Sequence, residues 1–234
     1  MAFVDELVAL IAPPRCAVCG TAGGRAGDVL CAGCRRGLPW LRNPRCGRCG
    51  LPLPHARRRC PAAGAAFASA WAAVAYDGAA RDALIALKFS AARPLADIMA
   101  AQIAAAAPAS SLLGPGVTLV AVPAHPRRRR ARGFDPAELI AVALARRCEL
   151  PLARALRRGG GASRQLGASR AVRRDAANLD FRARGGAAPD HVVLIDDVHT
   201  TGATLNACAQ ALRDAGCRRV DALTWARTLD DRCG

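Results

Sequence analysis

The stretch His191-Val-Val-Leu-Ile-Asp-Asp-Val-His-Thr-Thr-Gly-Ala-Thr-Leu-Asn206 decides the fold of this chain. Val192 to Ile195 form a short, continuous apolar run, which is typical of a central parallel strand buried on both faces. Two adjacent carboxylates follow the run, then a polar turn, and then a helical pattern that ends before Gly216. A strand, a polar turn and a helix in this order predict one unit of an α/β fold.

The turn in this stretch has the composition of a phosphate-binding loop. Its residues are Thr200, Thr201, Gly202, Ala203 and Thr204. At a helix N-terminus the free backbone N–H groups and the helix dipole attract a phosphate. Asp196 and Asp197 would be repelled by that phosphate, so we expect them to accept hydrogen bonds from sugar hydroxyls or to approach a ligand-bound magnesium ion. Helix capping explains one or two of these residues, but not the whole pattern.

The alternation of strand and helix continues on both sides of this stretch. The pattern predicts strands at residues 70–76, 117–122 and 220–225, and helices at residues 79–87, 94–107, 136–148 and 205–215. Residues 157–178 are rich in arginine and glycine and lack apolar periodicity, so we predict a long, mobile loop there. The whole pattern predicts a mostly parallel sheet flanked by helices, in a domain spanning residues 63–234.

A cluster of positive charge follows the predicted strand that ends at Pro123. The residues that we assign to this site are Arg127, Arg128, Arg130, Arg132 and Gly133. Bidentate arginine contacts suit a pyrophosphate group, which carries several negative charges. The arginine run alone would equally fit a nucleic acid or a solvated surface. Its position after a strand, in a loop across from the acidic turn, favours a pyrophosphate site.

The N-terminal part of the chain is dominated by cysteine. Seven of the eleven cysteines lie between Cys16 and Cys60. Residues 1–62 have few long apolar runs, and such a segment needs a disulfide or a structural metal ion to fold. We expect a cytoplasmic protein, in which clustered thiols stay reduced and bind metal. The pairs Cys16-x-x-Cys19 and Cys31-x-x-Cys34 predict a structural zinc site in a zinc-ribbon-like module.

A second zinc site is predicted at Cys46, Cys49 and Cys60, which are one ligand short of a tetrahedral set. His55, a water molecule or Cys233 would each complete it, and a degenerate site is a further alternative. Ligation that interleaves the cysteine pairs of the two sites is a further alternative.

The composition indicates which kinds of partner the protein can bind. The chain of 234 residues has a formal net charge of +16, carried almost wholly by arginine, and this charge attracts phosphates of any kind. The N-terminal apolar stripe carries Asp5 and Glu6 without a basic start, so it is unlike a signal peptide. The alanine-rich runs fall short of the about 20 apolar residues that a membrane span needs. We therefore expect no membrane insertion.

Two motifs resemble known families. The segment from Asp196 to Thr204 resembles the signature with which type I phosphoribosyltransferases bind 5-phosphoribosyl-1-pyrophosphate. The segment from Val122 to Phe134 resembles the ComF family of late-competence proteins, which are amidophosphoribosyltransferase-like. Further similarity lies at residues 86–89 and at Ser163, Gln165, Leu166, Arg173, Asn178, Leu179 and Phe181. The resemblance covers nearly the whole chain, including the cysteine module.

The resemblance implies a role for each site. Asp196 and Asp197 would contact the ribose hydroxyls, and Thr200 to Thr204 would cradle the 5-phosphate. Magnesium would accompany the substrate, and the arginine cluster would hold its pyrophosphate. Lys88, the only lysine in the chain, would join the arginines, although a lysine that satisfies helix-end carbonyls is an equal alternative.

The chain departs from the ComF pattern in two places. Asp135 and Pro136 replace the family's asparagine and glutamine, and the added carboxylate weakens the local positive field. Ala63 stands near the position where the family has a further zinc-ligating cysteine.

Three functions fit these patterns. The first is phosphoribosyl transfer with loss of pyrophosphate, for which the sequence reveals neither an acceptor pocket nor a general base. The second is single-stranded DNA binding in the DNA uptake of competence, beside a helicase-type partner. Stacking platforms for such a strand are few, since the aromatic residues are not clustered in the sequence. The third is a sensor that binds the ligand without turnover.

Overall fold

A computed structural model describes residues 15–22, 29–54, 59–90, 92–159, 179–185 and 188–229. Its strands are β1 (Ala70–Ala75), β2 (Val117–Ala121), β3 (Leu156–Arg158), β4 (Phe181–Ala183), β5 (His191–His199) and β6 (Arg219–Arg227). Its helices are α1 (Ala32–Arg36), α2 (Gly78–Phe89), α3 (Leu95–Ala106), α4 (Ala109–Leu112), α5 (Pro126–Arg132), α6 (Pro136–Cys148) and α7 (Ala203–Asp214). None of the described helices is long and apolar enough to cross a membrane.

The central sheet has four strands in the order β1-β6-β5-β2, and all neighbouring strands are parallel. In β5, Val193 and Ile195 pack into one core, whereas Val192 and Leu194 pack into the other. Both faces of the sheet are therefore covered, which explains the unbroken apolar run of β5. The predicted α/β fold with a mostly parallel sheet flanked by helices is confirmed.

Helices cover the two faces unequally. On one face α2, α3 and α6 pack against the sheet through residues such as Leu84, Met99 and Leu144. On the other face α7 packs beside a small antiparallel sheet of β3 and β4 and a segment that includes Phe67. All four long strands end at one edge, so their carboxyl ends can build a single site.

The structure corrects three predictions of local structure. The strand predicted at residues 192–195 continues to His199, because β5 stays hydrogen-bonded to β6 as far as Arg227. Asp196 and Asp197 therefore lie within the strand and not after it. The arginine-rich segment predicted as a loop forms helix α5. The predicted loop at residues 157–178 begins as strand β3.

Helix α5 forms because its ends are well capped. The Nδ1 atom of His125 accepts a hydrogen bond from the Arg127 backbone N–H at 3.2 Å, and Pro126 occupies the first turn. Gly133 ends the helix at φ 76°, a left-handed conformation that favours glycine.

Several sequence motifs lie outside the described residues. They are the N-terminal apolar stripe, His55, Cys233 and the motif residues Ser163, Gln165, Leu166, Arg173 and Asn178.

The cysteine-rich module joins the edge of the sheet next to β1. The Leu41 N–H donates to the Ala73 carbonyl at 3.0 Å, and the Ala70 N–H donates to the Arg48 carbonyl at 2.9 Å. Gly50 lies so close to the sheet that a Cβ atom there would stand 2.3 Å from the Ala70 carbonyl oxygen.

Candidate functional site

A cleft of about 890 Å³ opens at the carboxyl ends of β1, β2 and β5. It brings together seven of the residues predicted to bind ligand, which are Lys88, Arg128, Arg132, Asp196, Asp197, Thr200 and Thr204. The other predicted residues do not line it: Arg127, Arg130, Gly133, Thr201, Gly202 and Ala203. The acidic strand end, part of the threonine turn and two arginines of α5 thus share one space.

The two carboxylates of the cleft have different partners. The Oδ2 atom of Asp197 lies 2.8 Å from the Nζ atom of Lys88, at the C-terminal end of α2. The Oδ1 atom of Asp196 accepts a hydrogen bond from the Asp197 backbone N–H at 2.8 Å. Burial, followed by the neighbouring charge of Asp197, raises the pKa of Asp196 well above its usual range. Donors or a cation from a ligand would therefore stabilise the ionised pair.

The turn after β5 presents a helix N-terminus at the edge of the cleft. Gly202 is the N-cap residue of α7, with φ 82°, and it has no side chain to cap the helix. A Cβ atom at Gly202 would stand 2.8 Å from the Nε2 atom of His199. Both the backbone angle and the imidazole therefore require glycine here. The Ala203 N–H donates to the Thr201 hydroxyl at 3.4 Å, and the helix N-terminus as a whole attracts anions.

His199 supports this turn from within the protein. Its ring is buried, contacts the Arg227 guanidinium through Nδ1, and makes an edge-on contact with the Phe67 ring at 6.3 Å between centroids. Burial, followed by the charge of Arg227, lowers the pKa of His199 to about 3, so the imidazole is neutral. The sequence pattern does not assign a role to this position.

A smaller pocket of about 290 Å³ lies behind the turn. Thr201, Gly202 and Ala203 line it together with the segment that follows Cys60. The Asn206 Oδ1 atom accepts a hydrogen bond from the Ala66 N–H at 2.7 Å across this boundary. The segment that follows the cysteine module therefore packs against the first turn of α7.

Arg158 is a cleft residue that the sequence analysis missed. It lies at the end of β3, where its guanidinium packs over the Phe181 ring at 4.8 Å and donates to the Pro123 carbonyl at 3.5 Å. Burial lowers its pKa. The antiparallel pairing of β3 with β4 places this arginine in the cleft. The sequence did not predict that pairing, because the segment is rich in arginine and has no apolar periodicity.

Asp135 has a structural role beside the cleft. Its carboxylate is the N-cap of α6, accepting from the Ala137 N–H at 3.1 Å, and it also accepts from the Ala124 N–H at 2.7 Å. Burial raises the pKa of Asp135, against the effect of these donors. The carboxylate thus fixes the backbone that precedes α5.

The first cysteine cluster is formed by Cys16, Cys19, Cys31 and Cys34, whose sulfur atoms all lie within 4.8 Å of one another. The Sγ atoms of Cys19 and Cys31 are 3.7 Å apart, and a tetrahedral zinc ion with Zn–S bonds of about 2.3 Å requires about 3.8 Å. Backbone N–H groups of Cys31 and Cys34 donate to the sulfurs of Cys16 and Cys31, both at 3.4 Å. The donor set fits zinc.

The pKa values of the thiols in the first cluster also fit a metal site. The Thr21 hydroxyl and backbone lower the pKa of Cys19 to about 6. Burial and the neighbouring sulfurs raise the pKa of Cys34 far above its usual range. Four thiolates at this spacing would repel one another, so all four would be ionised only around a bound cation.

The second cluster contains Cys46, Cys49 and Cys60, with the Cys46 and Cys60 sulfurs 3.9 Å apart. Its turn at Cys46 repeats that at Cys16, since each is closed by a bond from the glycine N–H to the first cysteine carbonyl at 2.9 Å. Ala63 is exposed and its N–H donates to the Cys60 carbonyl at 3.0 Å. The described residues supply three ligands, and the clusters group the cysteines in chain order without interleaving.

Comparison with known proteins supports the N-terminal assignment. A family model described as a double zinc ribbon domain matches residues 7–64. A comparison with curated proteins finds no match to this chain. The protein is therefore an α/β protein with a mostly parallel sheet and an N-terminal zinc ribbon module, which binds zinc through two cysteine clusters.

Proposed function

We propose that this protein binds 5-phosphoribosyl-1-pyrophosphate with magnesium in the cleft and transfers its phosphoribosyl group to an acceptor, as a ComF-type phosphoribosyltransferase. The observation that carries the proposal is the shared cleft. Asp196, Asp197 and Thr200 come to it from β5 and its turn, whereas Arg128 and Arg132 come from α5 after β2. The proposal assigns residues 1–62 to the zinc module and residues 63–234 to the transferase domain.

The cleft matches the three parts of this ligand. In the proposal the 5-phosphate binds at the N-terminus of α7, because the backbone there attracts anions. The ribose hydroxyls donate to Asp196 and Asp197. These hydrogen bonds stabilise the ionised Asp196, which burial and the neighbouring charge of Asp197 disfavour. Arg128 and Arg132 bind the pyrophosphate, since their planar guanidinium groups suit phosphate oxygens.

Lys88 has a specific part in this proposal. Its ammonium lies 2.8 Å from Asp197, so it can hold that side chain in position until the sugar arrives. The same ammonium can then contact the ligand's pyrophosphate without leaving the cleft, which it lines. An arginine would carry the charge in a wider planar fork, whereas lysine concentrates it at one atom.

The reaction needs no nucleophile from the protein. An acceptor atom donates a lone pair to C1 of the ribose, the bond from C1 to the pyrophosphate oxygen breaks, and pyrophosphate leaves with that electron pair. Magnesium would supply charge that screens the departing pyrophosphate. The chain contributes by positioning the sugar and stabilising the charge that develops, which are general sources of catalytic rate.

Calorimetric titration with phosphoribosyl pyrophosphate and magnesium tests the binding step on the full, zinc-loaded chain. The double variant Asp196→Asn/Asp197→Asn and the single variant Arg128→Ala should each weaken binding at least tenfold. Arg127→Ala removes the same charge from the same helix outside the cleft, so it should change the affinity less than twofold. Failure of the wild type to bind, or equal losses for Arg127→Ala and Arg128→Ala, would refute the assignment.

Release of pyrophosphate separates transfer from sensing. If the ligand binds and pyrophosphate appears only with an acceptor present, the protein is a transferase. Binding without release under any acceptor would favour the sensor function.

A second candidate function is single-stranded DNA binding. Its support is the surface of α5, where Arg127, Arg129 and Arg130 are exposed outside the cleft, and the net charge of +16. The ComF resemblance extends this candidate to a cytoplasmic part in DNA uptake, beside a competence helicase-type partner. Binding of an oligothymidine that weakens steeply with salt would support it. The variant Arg127→Ala/Arg130→Ala should then bind more weakly and show a shallower dependence on salt.

A further inference from the structure

The segment of residues 61–67, which we call the connecting segment, links the second cysteine cluster to the turn before α7. It directly follows Cys60 and contains no helix or strand. The Ala63 N–H donates to the Cys60 carbonyl and the Ala65 N–H to the Ala62 carbonyl, both at 3.0 Å. Because the segment has little regular structure of its own, its position depends on the contacts at its two ends.

Arg48 holds the connecting segment at the metal cluster. It stands between two cysteines of the second cluster. Its Nε–H donates to the Ala62 carbonyl at 2.6 Å, and its Nη2 group donates to the Ala65 carbonyl at 2.9 Å. A metal ion bound by those cysteines and by Cys60 would therefore fix both the start of the segment and the backbone that carries Arg48.

The far end of the connecting segment contacts the turn before α7 at two points. The Ala66 N–H donates to the Asn206 Oδ1 atom at 2.7 Å, in the first turn of the helix. The buried Phe67 ring meets the His199 imidazole edge-on, with 6.3 Å between centroids. That imidazole is the group that a Cβ atom at Gly202 would strike. The segment thus reaches the residues that shape the N-terminus of α7.

The second cluster is suited to exchange its metal. The described residues supply three sulfur ligands there, compared with four in the first cluster. Zinc with three protein ligands keeps a fourth position for water or another group. We therefore expect zinc to leave the second cluster more readily than the first, so that the connecting segment has a metal-held state and a metal-free state.

We infer that zinc in the second cluster and phosphoribosyl pyrophosphate in the cleft strengthen each other's binding through the connecting segment. This inference rests on the proposed function. With zinc bound, the segment holds Asn206 and His199, and the helix N-terminus for the 5-phosphate is formed in advance. Without zinc, part of the ligand's binding free energy is used to order the segment and the turn, so binding weakens.

Arg48 and Asn206 are positioning residues in this scheme, because neither lines the cleft. The path between the two sites is a continuous set of hydrogen bonds and packed side chains, as energetic coupling requires when it acts through contacts. Coupling between two binding equilibria is reciprocal. The ligand must therefore tighten the retention of zinc by the same factor by which zinc tightens the binding of the ligand.

Competition with a chelator at equilibrium tests the inference on the full chain, with and without saturating phosphoribosyl pyrophosphate and magnesium. The zinc that Cys60→Ser loses identifies the second cluster. In the wild type the ligand should tighten retention of that zinc at least about fivefold, the lower end of common allosteric couplings. In calorimetry, Cys60→Ser should weaken binding of the ligand by the same factor.

Asn206→Ala is the decisive variant. It removes the acceptor of the Ala66 N–H without changing a cysteine, and its exposed side chain leaves the core intact. It should abolish most of the tightening, and Arg48→Ala should do so from the other end of the segment. Gln210→Ala is the matched control, because Gln210 presents an amide one turn along the same helix, where it donates to Asp214 at 2.7 Å. It should keep the full tightening.

Zinc bound by the ligand itself is the same for wild type and variants, so it does not affect their comparison. A wild type that binds the ligand with unchanged zinc retention would overturn the inference, as would a tightening that survives Asn206→Ala. Equal losses in Asn206→Ala and Gln210→Ala would also overturn it, because any change in α7 would then have the same effect. Failure of the zinc-loaded wild type to bind the ligand in calorimetry would instead refute the proposed function.

Discussion

The stability of the sheet should depend on one buried carboxylate far from the cleft. Asp221, in β6, is fully buried near the amino ends of the strands. Its Oδ1 atom accepts from the Ser69 hydroxyl at 2.7 Å, and its Oδ2 atom accepts from the Arg219 Nε–H at 2.6 Å and lies 2.8 Å from His191 Nε2. The carboxylate thus joins β5 and β6 to the segment that precedes β1.

The size of the effect follows from burial. Removing one partner of a buried ion pair costs about 3–5 kcal/mol, but the Arg219 side chain is 50% exposed and can return to water. We therefore expect Asp221→Asn to lower the free energy of unfolding by about 2–4 kcal/mol, mainly through lost charge-assisted hydrogen bonds.

The neighbouring pair provides the control. Arg218 and Asp190 form an ion pair whose side chains are 81% and 72% exposed, so Asp190→Asn should cost less than about 1 kcal/mol. Urea unfolding of the zinc-loaded protein, followed by fluorescence of the buried Trp225, measures both variants. If the two variants differ by less than about 0.5 kcal/mol, the reasoning from burial is wrong.

Two further predictions concern the zinc module and the buried histidine. Cys34→Ser should release about one zinc ion per chain in a colorimetric metal assay, because it removes one of four clustered cysteine ligands. Ala63→Cys should make the second cluster retain zinc better against a chelator, because it adds a fourth cysteine. Unchanged zinc stoichiometry in the first variant and unchanged retention in the second would contradict these predictions. Burial lowers the pKa of His199 to about 3, whereas its value in the unfolded chain is about 6.5. Between these two pH values the unfolded chain binds the proton preferentially. The free energy of unfolding should therefore fall as the pH drops from 6.5 toward 3, by at most about 1.4 kcal/mol per pH unit. His199→Gln should flatten this slope in urea titrations at several pH values, and an equally steep slope in the variant would exclude His199 as its source.

Patterns that depend on neighbours in the chain were predicted well. The apolar run of β5 with its polar turn, and the helix of residues 136–148, depend on local periodicity and capping. The cysteine pairs likewise predicted the first cluster, because a two-residue spacing brings two sulfurs to one metal.

Features that depend on residues far apart in the chain were not predicted from the sequence. β5 extends through Asp196 and Asp197 because β6 continues to pair with it, and strand pairing cannot be seen in one segment. The arginine-rich segment was missed for a different, local reason: it was predicted as a loop, although the flanking His125 and Gly133 cap it as a helix. Charged residues carry little periodic signal, so only the capping residues could have revealed α5.

The sequence by itself determined that the chain builds a parallel α/β sheet, a phosphate-loop-like turn and a metal-binding cysteine module, because each follows from spacing within a short segment. The tertiary structure alone decided which charged residues meet: Arg128, Arg132 and Arg158 line the cleft, whereas Arg127 and Arg130 do not. It also placed Phe89 and Phe134 in the lining of the same cleft. The reason is that the side-chain surroundings of a cleft are set by how the strands and helices pack, which no single segment encodes.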